Sequence, residues 1–253
     1  SSNKNLIVDT TSPTVNSFTM SDTALKAGDT ATVTLVFSEA VSSFSSDDDI
    51  TVVNGSLSTM TTSDNNYTTW TGTYTPSENI EDTTNVLTLG TSYTDVAGNT
   101  GTTSQTANFT IDTTYPTVSS FTISDTALKI GDTATVTLVF SEAVSGFNSD
   151  DDITVANGSL STMTPSGNNI TWTGTYTPST EIEDATNVLT LGTGYTDVAG
   201  NIGPSATTAN FTIDTSQNIV ITFSLSDSTL SVGDTATVTL VFSEAVSGFS
   251  SDD

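Results

Sequence analysis

TATVTLVFSEAV, residues 30–41, places Thr30, Thr32 and Thr34 on one side of an extended chain and Ala31, Val33, Leu35 and Phe37 on the other, then closes with Glu39. An alternation of period 2 belongs to a half-buried β-strand, because successive side chains point to opposite faces of a sheet. TTWTGTYT (68–75), NVLTLG (85–90) and ANFTID (107–112) read the same way, and no segment carries apolar residues at helical spacing. Turn formers break the strands at short intervals: Gly28 and Asp29, Asn54 and Gly55, Asn65 and Asn66, Gly98 and Asn99. About seven short strands in about 100 residues predict an all-β, immunoglobulin-like β-sandwich. Strands are expected at Val15–Met20, Ala31–Phe37, Ile50–Val53, Val86–Leu89 and Ala107–Ile111. With no cysteine, it is the disulfide-free kind.

The same stretch returns at 133–144 and 235–246, and FSEAV closes all three copies. Asp9 to Asp112 is 103 residues and Asp112 to Asp214 is 102, while the step from that Asp to the Glu of FSEAV is 30 in every copy. The period is one small domain. The chain is therefore expected to be an extended tandem array: residues 1–10 as the last strand and linker of a preceding repeat, 11–112 and 113–214 as complete repeats, and 215–253 as the start of a third. Such a segment is expected to come from a longer array, or to borrow its missing strands from another chain.

Composition narrows the chemistry. The 253 residues include no Cys, no His and three Lys or Arg against 29 acidic residues, for a formal charge of −26. The usual zinc, haem and iron–sulfur ligands are missing, as are the commonest nucleophile and general base. A chain this anionic repels nucleic-acid phosphates and acidic lipid headgroups, so cations are the expected partners, with no nucleic acid and no membrane insertion. No run approaches the length of a membrane span, and residues 1–10 lack the features of a signal peptide, so any export signal is expected outside this segment.

In a sandwich the loop after the second strand, starting at Glu39, and the loop SYTDVAGNTG (92–101) meet at the pole where the chain enters through the linker DTTSP (9–13). Asp9, Glu39, Asp95 and Asn99 then converge at one domain junction, with Asp47, Asp48 and Asp49 close behind. The second copy repeats the set as Asp112, Glu142, Asp197 and Asn201, with Asp150, Asp151 and Asp152. Asp214 and Glu244 begin a third. Crowded carboxylates repel and raise one another's pKa, and lysine is too scarce to neutralise them. An all-oxygen set in flexible loops suits Ca²⁺, with its 6 to 8 ligands, better than Mg²⁺. Glu39 and Glu142 are accordingly expected to ligate interdomain calcium. Pro13 and Pro116 hold Ser12 and Tyr115 extended.

For each feature there is a plainer alternative. Acidic triplets are often only solvated surface, and Asp22, Asp29, Glu78, Glu81 and Asp82 fall at the opposite pole as turn and surface residues, although Glu81 or Asp82 can face the next junction. Trp70, Tyr74, Phe37 and Phe109 are expected in the core rather than as a sugar platform. The outward threonine rows read first as solvent-facing strand, and only second as a surface for glycan or ice.

D-T-x-x-P-T-V, L-K-x-G-D-T-A-T-V-T, F-S-E-A-V, W-T-G-T-Y-T-P and Y-T-D-V-A-G-N together resemble the bacterial immunoglobulin-like repeats of giant surface adhesins of the biofilm-associated and RTX-adhesin type. The resemblance covers essentially the whole chain. It implies extracellular arrays on the bacterial cell surface, interdomain Ca²⁺ that stiffens a stalk, unfolded export through a type I system, and ligand-binding modules elsewhere. Two departures stand out: Asn218 occupies the place of the linker proline in the third copy, and the glycine-rich RTX nonapeptide is absent. The leading expectation is a non-enzymatic stalk segment whose partners are its neighbouring repeats. A self-assembling fibre with strand exchange and a glycan- or ice-binding module are the alternatives, and a carboxylate-dyad hydrolase is the weakest.

Overall fold

A computed structural model describes residues 8–62 and 65–250. The expected final strand of a preceding repeat, within residues 1–7, lies outside the described residues. Repeat 1 runs β1 (Val15–Met20), β2 (Ala24–Lys26), β3 (Ala31–Phe37), β4 (Val41–Ser42), α1 (Ser46–Asp49), β5 (Ile50–Thr51), β6 (Gly55–Leu57), β7 (Thr61–Thr62), β8 (Thr69–Pro76), β9 (Glu81–Asn85), β10 (Thr88–Leu89), β11 (Thr94–Asp95), β12 (Ser104–Gln105) and β13 (Phe109–Asp112). One sheet has the order β1-β3-β8-β6, with β7 also on β8. Facing it are the ladders β2-β13-β9 and β12-β10-β5. The pairing of β2 with β13 is parallel. Repeat 2 reproduces every element from Val118 to Asp214.

The alternation decides which side of each strand is buried. In β3, Ala31, Val33, Leu35 and Phe37 are buried while the intervening Thr and Val residues face outward. They join Phe18, Leu25, Tyr74, Leu89, Phe109 and Ile111, drawn from both layers, in one core. The equivalent core of repeat 2 centres on Val136, Leu138, Phe140, Tyr176 and Phe211. Phe37, Tyr74 and Phe109 occupy the interior as the alternation predicts, and Trp70 sits half-buried at its rim, edge-on to Phe44 with centroids 5.0 Å apart.

A single helical turn at Ser46–Asp49, repeated at Ser149–Asp152, interrupts the otherwise all-β chain where no helix was expected. Four residues are too few to show a helical period. The turn forms because short polar side chains satisfy its free backbone N–H groups: the Asp49 carboxylate accepts from Ser45 N–H at 2.9 Å, and Asp152 accepts from Asn148 N–H at 2.8 Å.

In the third copy, Val220–Leu225 pairs with Val238–Phe242 in the register of β1 on β3, with no facing sheet among the described residues. Phe223 is 75% exposed, whereas its counterparts Phe18 and Phe121 are 6% exposed.

The loop that carries Asp197 is anchored from beneath. Tyr195 is fully buried, its hydroxyl donates to the Pro204 carbonyl at 2.8 Å, and Gly203 N–H returns to the Tyr195 carbonyl at 3.0 Å. Burial pushes the Tyr195 hydroxyl up to about 12, with a smaller push from Asp152. A Cβ on Gly203 would fall inside the Tyr195 ring. Gly203→Ala is therefore expected to destabilise the second repeat by about 1–3 kcal/mol. Calorimetry should show that transition falling by about 4–8 °C per kcal/mol, while the transition of the first repeat stays in place.

Candidate metal centre at the domain junction

Strand pairing builds the site. β4 begins two residues after Glu39 and pairs antiparallel with β11, matching Val41 to Asp95 and Ser42 to Thr94. Ser42 Oγ reinforces the pair by donating to the Asp95 carbonyl at 2.7 Å. Val144 and Asp197 are matched in the same way in repeat 2. The two loops at the entry pole are thus sewn together, and the linker Asp arrives at the same place.

One carboxylate oxygen each from Asp9, Glu39 and Asp95 lies within 4.8 Å of the other two, and Asp112, Glu142 and Asp197 form the same triangle. Asp95 and Asp197 are only 2% and 1% exposed, so they cannot turn out to water. Each is pinned: Asp197 Oδ1 accepts Gly200 N–H at 2.7 Å and Asn201 N–H at 2.8 Å, while Oδ2 accepts Asn201 Nδ2 at 2.7 Å. In repeat 1, Asn99 supplies Asp95 with the corresponding bonds at 2.8 and 2.7 Å.

The electrostatics follow from this packing. Burial, and then the charges of Asp9 and Asp95, raise the Glu39 carboxyl. Burial, then Asp197, Asp112 and Glu81, raise Glu142. Burial also raises Asp112, assisted by Asp197 and Glu81 and opposed by the Thr114 N–H. Burial pushes Asp95 up too, but hydrogen bonds from Asn99, Gly98 and Ala97 outweigh it and hold the carboxyl below its ordinary value. Glu81 comes from the preceding repeat, where it is matched to Asp112 on β13, so its charge acts on the junction.

The linker is fastened in both directions, which the sequence reading did not foresee. Thr113 Oγ1 donates to the Ser77 carbonyl at 2.7 Å and accepts Ile80 N–H at 3.0 Å, tying the start of the linker to repeat 1. Pro116 is buried in repeat 2. The signal was present as the unvarying Thr after each linker Asp, at Thr10, Thr113 and Thr215.

Other expected ligands are placed differently. Asp47 and Asp150 lie outside the triangles and accept hydrogen bonds from Thr59 and Thr162, both at 3.0 Å. Asp49 and Asp152 cap their helical turns, Asp151 accepts from Asn148 at 2.7 Å, and Asp48 is exposed on the same turn as Asp47. Asn99 and Asn201 sit behind the carboxylates as hydrogen-bond donors to them. Asp214 accepts from Ser216 Oγ at 2.7 Å, and among the described residues neither Asp214 nor Glu244 joins a triangle.

Oxygens bound to one Ca²⁺ at about 2.3–2.6 Å stand no more than about 5 Å apart, and either triangle meets that limit with three oxygens. Backbone carbonyls and water are the remaining donors such an ion takes. Asp9 or Asp112, Glu39 or Glu142, and Asp95 or Asp197 are the residues able to hold a hard cation.

The chain belongs to the bacterial Ig-like domain family, which matches residues 9–111, 112–213 and 214–253 in succession. A search of curated proteins returned no match. Among solved structures, the Escherichia coli adhesin FdeC is 16% identical over 90% of this chain and 73% of its own, with a TM-score of 0.34. The titin I-band fragment I67–I69 is 9% identical over 81% of this chain and 66% of its own, with a TM-score of 0.43. The Yersinia pseudotuberculosis adhesin InvE is 14% identical over 78% of this chain and 58% of its own, with a TM-score of 0.28. No helix among the described residues is long and apolar enough to cross a membrane.

The raised carboxyls give a pH signature of definite sign. Between the ordinary Glu value of 4.5 and the raised folded value of Glu142, the native state binds more protons than the unfolded one. Metal-free stability therefore falls as pH rises through that window and is regained as pH drops back into it. With chelator present, the thermal midpoint is expected to rise as pH is lowered from 7 toward about 5. Below the ordinary Asp value of 3.8 the trend reverses, because hydrogen bonds from Thr84 and Thr186 hold Asp82 and Asp184 low. A flat or opposite slope between pH 7 and 5 would count against a strained carboxylate triangle.

Proposed function

We propose that this chain is a non-enzymatic stalk segment of a bacterial cell-surface adhesin, of the giant, repeat-built kind that supports attachment or biofilm formation. In this reading its domain junctions are stiffened by extracellular Ca²⁺. The observation that carries it is the triangle of carboxylates at both junctions, one from the linker and two from the following domain, in a chain with 29 acidic residues against three Lys or Arg, of which Lys26 lies beside the second triangle. Membership of the bacterial Ig-like family in tandem copies supports the array.

The mechanism is mechanical. An ion shared by the linker Asp and the two loops of the next repeat removes the repulsion between Asp112, Glu142 and Asp197 and fixes the angle between the linker and the body it enters. Binding to the folded state alone adds RT ln(1 + [L]/Kd) of stability. With a Kd of about 10⁻⁴ to 10⁻³ M, as extracellular modules have, the sites are largely empty in cytosol and filled outside the cell. A chain soft during export then becomes a stiff rod at the surface, holding binding modules away from the cell.

Calcium titration of the chain is expected to raise its thermal midpoint and lengthen and stiffen it in small-angle scattering, with EGTA reversing both. Glu142→Gln is expected to weaken binding at the second junction by at least about tenfold, without lowering metal-free stability. Indifference of the wild-type chain to calcium would overturn the metal-stiffened stalk.

A further inference from the structure

Asn201 is 2% exposed, and its amide is used on both faces. Nδ2 donates to Asp197 Oδ2 at 2.7 Å and to the linker carbonyls of Asp112 and Thr114 at 2.9 and 3.1 Å. Oδ1 accepts the backbone N–H of Ala27 at 2.8 Å, from the turn after β2 in the preceding repeat. One side chain thus touches the body of repeat 1, the linker, and a carboxylate of the candidate metal triangle in repeat 2. Beside it the Lys26 side chain lies over Gly200, where an added Cβ would come within 3.4 Å of Lys26 Cδ. Gly200 also has φ +99°, a conformation that L side chains rarely adopt. Asn99 makes the same bonds to Asp95 and, among the described residues before it, donates to the Asp9 carbonyl at 3.3 Å.

We infer that Asn201 is the mechanical link between the cation site and the preceding domain, a positioning residue that converts a fixed Asp197 into a fixed angle between repeats 1 and 2. The inference rests on the calcium reading above for its trigger, while the latch itself is made of protein groups. A bound cation would immobilise Asp197. Asp197 then holds the Nδ2 edge of the amide, and the amide plane, being rigid, presents Oδ1 to Ala27 in one orientation. Without Asn201 the ion would still join Asp112 at the end of β13 to repeat 2, but the turn after β2 would lose its direct hydrogen bond across the junction, leaving the angle less firmly set.

The full chain has no cysteine, so Ser56→Cys and Ser159→Cys, one exposed site in each repeat, carry spin labels without background. The distance distribution between them, read by pulsed electron resonance with saturating CaCl₂ and with EGTA, reports the interdomain angle. Calorimetry with CaCl₂ reports binding. Asn201→Ala is expected to bind calcium up to about tenfold more weakly and still saturate, yet keep a broad distribution when saturated. Asn99→Ala, which makes the same local change in the other repeat, is expected to leave the distribution as narrow as wild type.

A narrow distribution in saturated Asn201→Ala would overturn the link. So would equal broadening by Asn99→Ala, which would mean a general loss of loop structure. Complete loss of binding at the second junction in Asn201→Ala would make the residue part of the site rather than its transmission, and would also overturn the proposal. If wild type binds no calcium, the stiffened-stalk reading fails separately. The latch is then judged on the metal-free chain, where Asn201→Ala must still be broader than wild type.

Discussion

Like charges that cannot separate are the constraint on which this junction depends. β4 and β11 are hydrogen-bonded neighbours, so Glu39 and Asp95 cannot drift apart without breaking the ladder. The linker Asp enters at the same pole and completes a triangle with oxygens within 4.8 Å. Burial of Asp95 and Asp197 removes the water that would screen the repulsion. The backbone offsets part of this by aiming N–H groups at Asp95, and Glu39, Glu142 and Asp112 carry the remainder as raised pKa values. A cation bound there, as proposed, would remove the remainder at a place where two domains and their linker meet.

Everything around the triangle limits how far the junction can yield. Thr113 binds the turn at Ser77–Ile80 of one domain, and Pro116 is buried in the next. Few linker residues are left to act as a hinge. The loop bearing Asp197 rests on the buried ring of Tyr195, packed on Gly203, so it is not free to follow a moving linker. The third linker keeps Thr215 but has an exposed Asn218 in place of the proline, and Ser231 replaces Lys26 and Lys129.

The sheets and core were legible in the sequence. Period-2 alternation in TATVTLVF and TWTGTYTP named the buried faces of β3 and β8, and β1 and β3 were placed to the residue. The aromatic residues were legible more coarsely: Phe37, Tyr74 and Phe109 are core, but Trp70 is at the rim, because alternation says which side a residue faces and not how deep it sits. The acidic triplets lie outside both triangles: Asp47 accepts from Thr59, twelve residues on, Asp49 from Ser45 and Asp151 from Asn148.

The sequence by itself determined the repeat, the all-β class, the buried face of each long strand and the sign of the charge. These follow from spacing and composition, which need no knowledge of distant contacts. The loop order of a sandwich already named the acids of the two triangles, and the tertiary structure decided how closely they approach and that the amides and acidic triplets stay outside. Asp112, Glu142 and Asp197 are separated by dozens of residues and meet because a short strand pair and a linker end at one pole. It also decided that Asn201 faces backward to Ala27, 174 residues away. Such a contact depends on the packing of two folded bodies, and nothing in the local pattern of either carries it.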